Sequence, residues 1–130
     1  MAYFGFVYVL SNEIMPDIYK IGFTDRSPRQ RAADLSNTSI PTPYQVISHW
    51  EVENPIGVEK ELHKKFSNKR VANNREFFKL TNEDLYDIYI FMSDYAYSDY
   101  FDYPMDMIIE GHYINQNEAS VKVENNETNA

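Results

Sequence analysis

Ser27-Pro28 is the pair of residues that most limits what this chain can fold into. Ser27 carries a hydroxyl able to accept from the unsatisfied amides of a helix start. Pro28 has no amide hydrogen to lose and a φ already set for a first helical turn. Gln30, three residues after Ser27, completes the pattern of a capping box. Just upstream, residues 18–24 form a short apolar and aromatic run that ends in Gly22-Phe23-Thr24. Strand, tight turn and abrupt helix are therefore expected within residues 19–35. Gly22 stands where the bare backbone admits a close approach by another group. Arg29 and Arg31 then fall near the positive end of the helix, where arginine forks suit an anion such as phosphate. The same two arginines would equally suit a solvated helix face.

The remaining elements follow from pattern. Residues 3–11 are aromatic and β-branched and read as a strand. Pro41 and Pro43 exclude helix between residues 37 and 43. Residues 44–53 alternate, with Val46, Ser48, Trp50 and Val52 on the more apolar side. Asn54-Pro55 repeats the Ser27-Pro28 device and opens a helix to about residue 67, with Val58, Leu62 and Phe66 as its inner stripe. Glu59 and His63 are four apart and share one side of that helix. Residues 68–75 read as a polar, basic loop, and residues 76–80 as a short extended segment. Thr81 with Asp84 starts a third helix to about residue 95. The fold class expected is α+β, a small three-stranded antiparallel sheet flanked by helices, with a C-terminal helical acidic extension. Residues 1–82 form the expected core domain, 83–114 a tyrosine-rich extension, and 115–130 a disordered tail.

Charge sharpens that division. Residues 1–82 carry eleven Lys/Arg against nine Asp/Glu, and residues 83–130 carry one against eleven, so the net charge of −8 lies in the C-terminal third. The first part can meet a polyanion locally but is not the strongly basic surface of a nonspecific duplex binder. The absence of cysteine excludes a disulfide framework, a thiolate zinc site and a cysteine nucleophile. No apolar run is long enough to span a membrane, and a cytoplasmic location is expected.

Gly5-Phe6-Val7-Tyr8, Tyr19-Lys20-Ile21-Gly22, Arg31 to Ser36, Glu59 with His63, and Glu76-Phe77-Phe78 occur in that order. This series resembles the GIY-YIG endonuclease superfamily over about residues 3–80. Within it, the series is most similar to the phage open-reading-frame DNA-binding branch, related to the meiotically up-regulated gene group, whose second motif reads Lys-Ile-Gly. The resemblance implies a metal-dependent DNA endonuclease with Mg²⁺ or Mn²⁺ held by Glu59. It implies catalytic roles for Tyr8, Lys20, Arg31 and His63. Arg31 would clamp a phosphate oxygen, Tyr8 or His63 would position or deprotonate water, and Lys20 would contact phosphate or lower the pKa of Tyr8. Arg26, Arg29, Lys64, Lys69, Arg70 and Arg75 are the candidate DNA contacts. The second superfamily tyrosine is replaced by Lys20. Tyr19, one residue earlier, should face the opposite side of the strand.

Two other functions fit the same residues. One is a DNA-binding module without cleavage. The other is a protein-interaction or inhibitor protein working through the acidic end. The acidic end could also mask the protein's own DNA-binding face, with Asp94, Asp99, Asp102 and Asp106 imitating a row of phosphates over it until DNA or a partner displaces them.

Overall fold

A computed structural model describes residues 3–36, 42–71 and 76–112. In chain order these form β1 (Phe4–Ser11), β2 (Ile18–Thr24), α1 (Pro28–Leu35), β3 (Gln45–Glu53), α2 (Pro55–Lys65), a 3-10 turn (Ser67–Lys69), β4 (Phe77–Lys79), α3 (Asn82–Ser93), β5 (Ser98–Phe101) and α4 (103–112). The helix starts obey the capping chemistry. Ser27 accepts from the Gln30 amide at 3.3 Å, and Asn54 accepts from Gly57 at the same distance. Thr81 and Asp84 exchange both bonds of a capping box, at 2.9 and 3.1 Å, worth about 1 kcal/mol. The box expected at Ser27 is only half made, because the Gln30 side chain reaches forward to Asp34 instead, at 2.9 Å.

The sheet has five strands in the order β4-β2-β1-β3-β5, with every neighbouring pair antiparallel. This corrects the three-stranded expectation. The three central strands are those read from the sequence. β4 joins the outer edge of β2, and β5 joins the outer edge of β3. β5 was missed for a physical reason. Ser98-Asp99-Tyr100-Phe101 is held by backbone bonds to His49 and its neighbours, and a half-solvated edge strand needs no apolar periodicity. The stretch after residue 82 is consequently helix, strand and helix rather than a helical extension. The tail expected from residue 115 lies outside the described residues.

Register divides the side chains between two faces. One face carries Val7, Val9, Ile21, Trp50, Val52 and Phe78, packed on Val58, Leu62 and Phe66 of α2, on Leu85, Ile88 and Met92 of α3, and on Met105 of α4. Tyr19 packs against this core, as its position predicts. The other face carries Tyr8 and Leu10, covered by Ala32 with Leu35, Tyr44 and Val46 around them. Since α1 has only eight residues, it covers one end of that face and leaves the rest open. Among the described residues no helix is long and apolar enough to cross a membrane.

Leu85, Ile88, Met92 and Met105 are each about 1% exposed or less, and burying each such side chain is worth about 1.5–3 kcal/mol. That sum is comparable with the whole stability of a small domain. Truncation after residue 82 is therefore expected to abolish cooperative unfolding. Trp50 fluorescence in a urea titration checks this, since Trp50 is the chain's single tryptophan and is fully buried.

Candidate functional site

Tyr8 lies opposite Gly22 across the β1–β2 pair. Its phenol occupies the space where a residue-22 side chain would be, because a Cβ at Gly22 would come within 2.6 Å of Tyr8 Cζ. Gly5 is constrained in a similar way, since a Cβ there would lie 2.8 Å from the Thr24 carbonyl oxygen and 2.9 Å from Pro55 Cγ. Gly22 thus lets β2 close on Tyr8, which is 2% exposed, while Gly5 lets the start of α2 close on β1. From α1, the Arg31 guanidinium lies close enough to the Tyr8 hydroxyl to favour its charged form.

The other wall is built at the outer edge of β2. β4 pairs with Ile18 to Lys20 and then ends. Beyond it, the Ile21 amide donates to the Glu76 carbonyl at 3.0 Å. The Ile21 carbonyl accepts from His63 Nε2 at 2.8 Å, so α2 is seated against the strand edge. One helical turn before His63, Glu59 enters the cleft with its side chain 13% exposed and an oxygen 3.5 Å from His63 Nε2. Lys20, buried on the same sheet face as Tyr8, forms an ion pair with Glu76 and lies 5.2 Å from the centre of the Phe77 ring. The result is an open cleft of about 430 Å³, lined by Tyr8, Arg26, Arg31, Glu59 and Glu76 among others.

The electrostatics assign distinct states to these groups. Burial, reinforced by the nearby Glu76 and opposed by Lys20, pushes the Glu59 carboxyl up to about 7. Burial raises the pKa of Tyr8, although the nearby Arg31 acts against it, so the phenol stays protonated at neutral pH. Burial lowers the pKa of His63 despite its bond to Ile21. A carbonyl can only accept, so the neutral His63 ring carries its hydrogen on Nε2, and that nitrogen has no lone pair to offer as a base.

The structure thus brings Tyr8, Lys20, Arg31, Glu59 and His63 together, with Arg26 at the cleft rim. It places the other cations elsewhere. Arg29 lies on the opposite flank of α1, its guanidinium 6.0 Å from the Tyr100 ring. Lys69 pairs with Asp84 at 3.4 Å, Arg70 covers Phe78 at 5.6 Å, and Lys64 is exposed. Arg75 lies outside the described residues. Glu76 was absent from the candidate set and lines the cleft. Its signal in the sequence was the Glu-aromatic-Phe run, but its proximity to Glu59 depends on how β4 pairs with β2.

A protein-family model described as the T5orf172 domain matches residues 5–93. The match begins at Gly5 of β1 and ends with the last residue of α3, so it takes in every cleft residue named above and leaves out β5 and α4. No curated protein and no solved structure matches the chain.

Two outcomes test this geometry. Gly22→Ala is expected to cost about 1–3 kcal/mol by overpacking against Tyr8. In a Tyr8→Ala background the same change should cost much less, so a double-mutant cycle by urea denaturation reads the contact directly. The second outcome concerns pH. Because Glu59 binds its proton more tightly when folded, its contribution to stability declines as pH rises from about 4.5 towards about 7. Glu59→Gln should remove that slope and make the protein more stable at pH 8, by an amount on the order of 2 kcal/mol. Denaturation at pH 5 and pH 8, in chelator, checks it.

Proposed function

The chain belongs to the T5orf172 domain family, and on that footing we propose that it acts on DNA as a metal-dependent endonuclease of GIY-YIG type. One observation carries the reading. Tyr8, Arg31 and Glu59, from β1, α1 and α2, converge on one open cleft although they are far apart in sequence.

Each residue has work that its environment supports. The Arg31 fork faces the cleft and can hold a phosphate oxygen by charge-assisted hydrogen bonds that strengthen as negative charge develops. Tyr8 keeps its hydrogen despite the nearby Arg31, so it orients water or phosphate and does not deprotonate them. His63 acts as a positioning residue, fixing the β2 edge and the neighbouring Glu59. Lys20 compensates Glu76 and supplies a second positive charge near the scissile phosphate.

The donor set fits a divalent cation. Glu59 and Glu76 offer oxygen, and like charge between them contributes to the raised pKa of Glu59, a repulsion that a cation would relieve. Mg²⁺ commonly takes one or two protein carboxylates and keeps several waters, and among the described residues no group of three or more acidic or histidine ligands converges. When bound, the metal would supply Lewis-acid stabilisation of the phosphate and leaving oxygen.

A second reading, DNA binding without cleavage, draws on one feature, the presence of Lys20 in the motif position where the superfamily has tyrosine. Nicking of supercoiled plasmid in Mg²⁺ or Mn²⁺ separates the two. Wild type should nick, while Glu59→Ala and Arg31→Ala should nick at least about 100-fold more slowly, with Glu59→Ala still binding DNA. Binding by wild type with no nicking in either metal would select the second reading.

A further inference from the structure

The sheet face that holds Tyr8 continues past α1 uncovered, and the register fills it with rings. Tyr8 pairs with His49 on β3, and His49 pairs with Tyr100 on β5. The His49 and Tyr100 rings are stacked, 5.1 Å apart and 18° from parallel. Phe6 meets His49 edge-on at 5.3 Å. The Arg29 guanidinium lies over Tyr100 at 6.0 Å. All three rings are half-buried, so each keeps some surface available. Beyond Tyr100 an open groove of about 780 Å³ runs between α1 and residues 100–104, with Arg29, Tyr44, Tyr100 and Tyr103 on its walls.

We propose that this aromatic row and groove form a stacking platform for an unpaired DNA base, so that the preferred substrate is DNA with a single-stranded nucleotide next to the cleaved phosphate. The inference rests on reading the cleft as a phosphodiester site, and it names that site's substrate class.

Three observations select a base as the occupant. The platform adjoins the cleft on the same sheet face, with α1 between their two openings, since Tyr8 and His49 are cross-strand neighbours and Tyr100 is two strands from Tyr8, roughly 10 Å away. The charge is complementary, since Arg29 and Arg31 are exposed on opposite flanks of α1, so that Arg31 meets phosphate at the cleft and Arg29 at the groove. The acid in the groove, Asp102, caps α4 by accepting from the Met105 amide at 3.2 Å. Thirdly, the groove walls carry tyrosines and an arginine, which suit a flat heterocycle with polar edges. Paired bases in a duplex hide their flat faces, whereas rings on a sheet can stack on a base once it is unpaired. Burial, with Arg29 nearby, lowers the pKa of His49, leaving a neutral ring at physiological pH. Tyr100 and Tyr103 lie beyond the residues shared with the family model, so the platform is completed by this chain's own C-terminal addition.

The test compares a forked DNA, carrying 2-aminopurine in the unpaired arm beside the junction, with a fully paired duplex of equal length. Binding is measured by anisotropy in chelator so that nothing is cut. Wild type is expected to bind the fork about tenfold more tightly than the duplex, with a change in 2-aminopurine fluorescence. Tyr100→Ala should lose both the preference and the fluorescence change while binding duplex like wild type. Tyr100→Phe should keep both. Tyr103→Ala, at a side chain 76% exposed and so harmless to the fold, should reduce the preference independently. Equal affinity of wild type for fork and duplex, or a preference unchanged in Tyr100→Ala and Tyr103→Ala, overturns the platform. The cleft reading survives that result if Arg31→Ala still weakens duplex binding. A wild-type dimer that Tyr100→Ala dissociates, without any fork preference, also overturns it and assigns the groove to a second copy. No binding to either DNA overturns the platform and the cleft reading together.

Discussion

The candidate site depends on the contact between the Tyr8 phenol and the bare backbone of Gly22. A buried tyrosine on a sheet face normally projects into a packed layer. Here it can lie across β2 because the residue opposite has no side chain, and its hydroxyl then comes within reach of Arg31 on α1. One steric allowance therefore connects three elements. It orders Tyr8 and gives Arg31 a fixed partner on the sheet. It also leaves open the volume into which Glu59 projects from the far side of β2. The Ile21 edge completes the arrangement, because β4 stops at Lys20 and the vacated strand edge is taken by the Glu76 carbonyl and by His63.

What was legible in the sequence is what local chemistry dictates. Pro28, Pro55 and the Thr81–Asp84 box set three helix starts without any tertiary information. The apolar runs of β1 and β2 and the alternation of β3 from Ser48 to Val52 set the central sheet, but a bulge at Ile47 sends that side chain into the main core and turns Val46 to the Tyr8 face, against the expected alternation. Tyr19 and Lys20 show the rule of two most directly, with Tyr19 packing on the main core and Lys20 on the cleft face. What was not legible depended on long-range pairing. β5 carries mixed polar and aromatic residues, and only its alignment with β3 makes it a strand. Glu76 becomes a cleft residue because β4 pairs with β2 in one register. Arg29 and Arg31 look equivalent in sequence, yet about 200° of helical rotation separates them, and they face different grooves.

The charge split acquires a structural explanation at several of its acids. Asp84 closes the start of α3 and pairs with Lys69, and Asp102 closes the start of α4. Acids near a helix start interact favourably with its dipole and its orphan amides. Asp102 shares a groove with Arg29, but its bond to the Met105 amide gives it a folding role independent of DNA. Part of the acidity that the sequence presents as one block therefore sits at helix starts of the same packed unit, and of the proposed row of phosphate mimics Asp102 has this separate folding role.

Lys20 can be judged in the same terms. A lysine with only 6% of its surface exposed is costly unless it is paired. Glu76 supplies the pairing, and Lys20 in turn moderates the repulsion between Glu76 and Glu59. Remove Lys20 alone and the buried Glu59 keeps the nearby Glu76 charge without the ammonium that offsets it, so the proton on Glu59 is held still more tightly. Remove Glu76 alone and a buried cation loses its partner. A tyrosine at position 20 would supply a hydroxyl but no charge, and would leave Glu76 without compensation. Lys20 is thus matched to Glu76, and the pair acts as one unit in the cleft's charge balance.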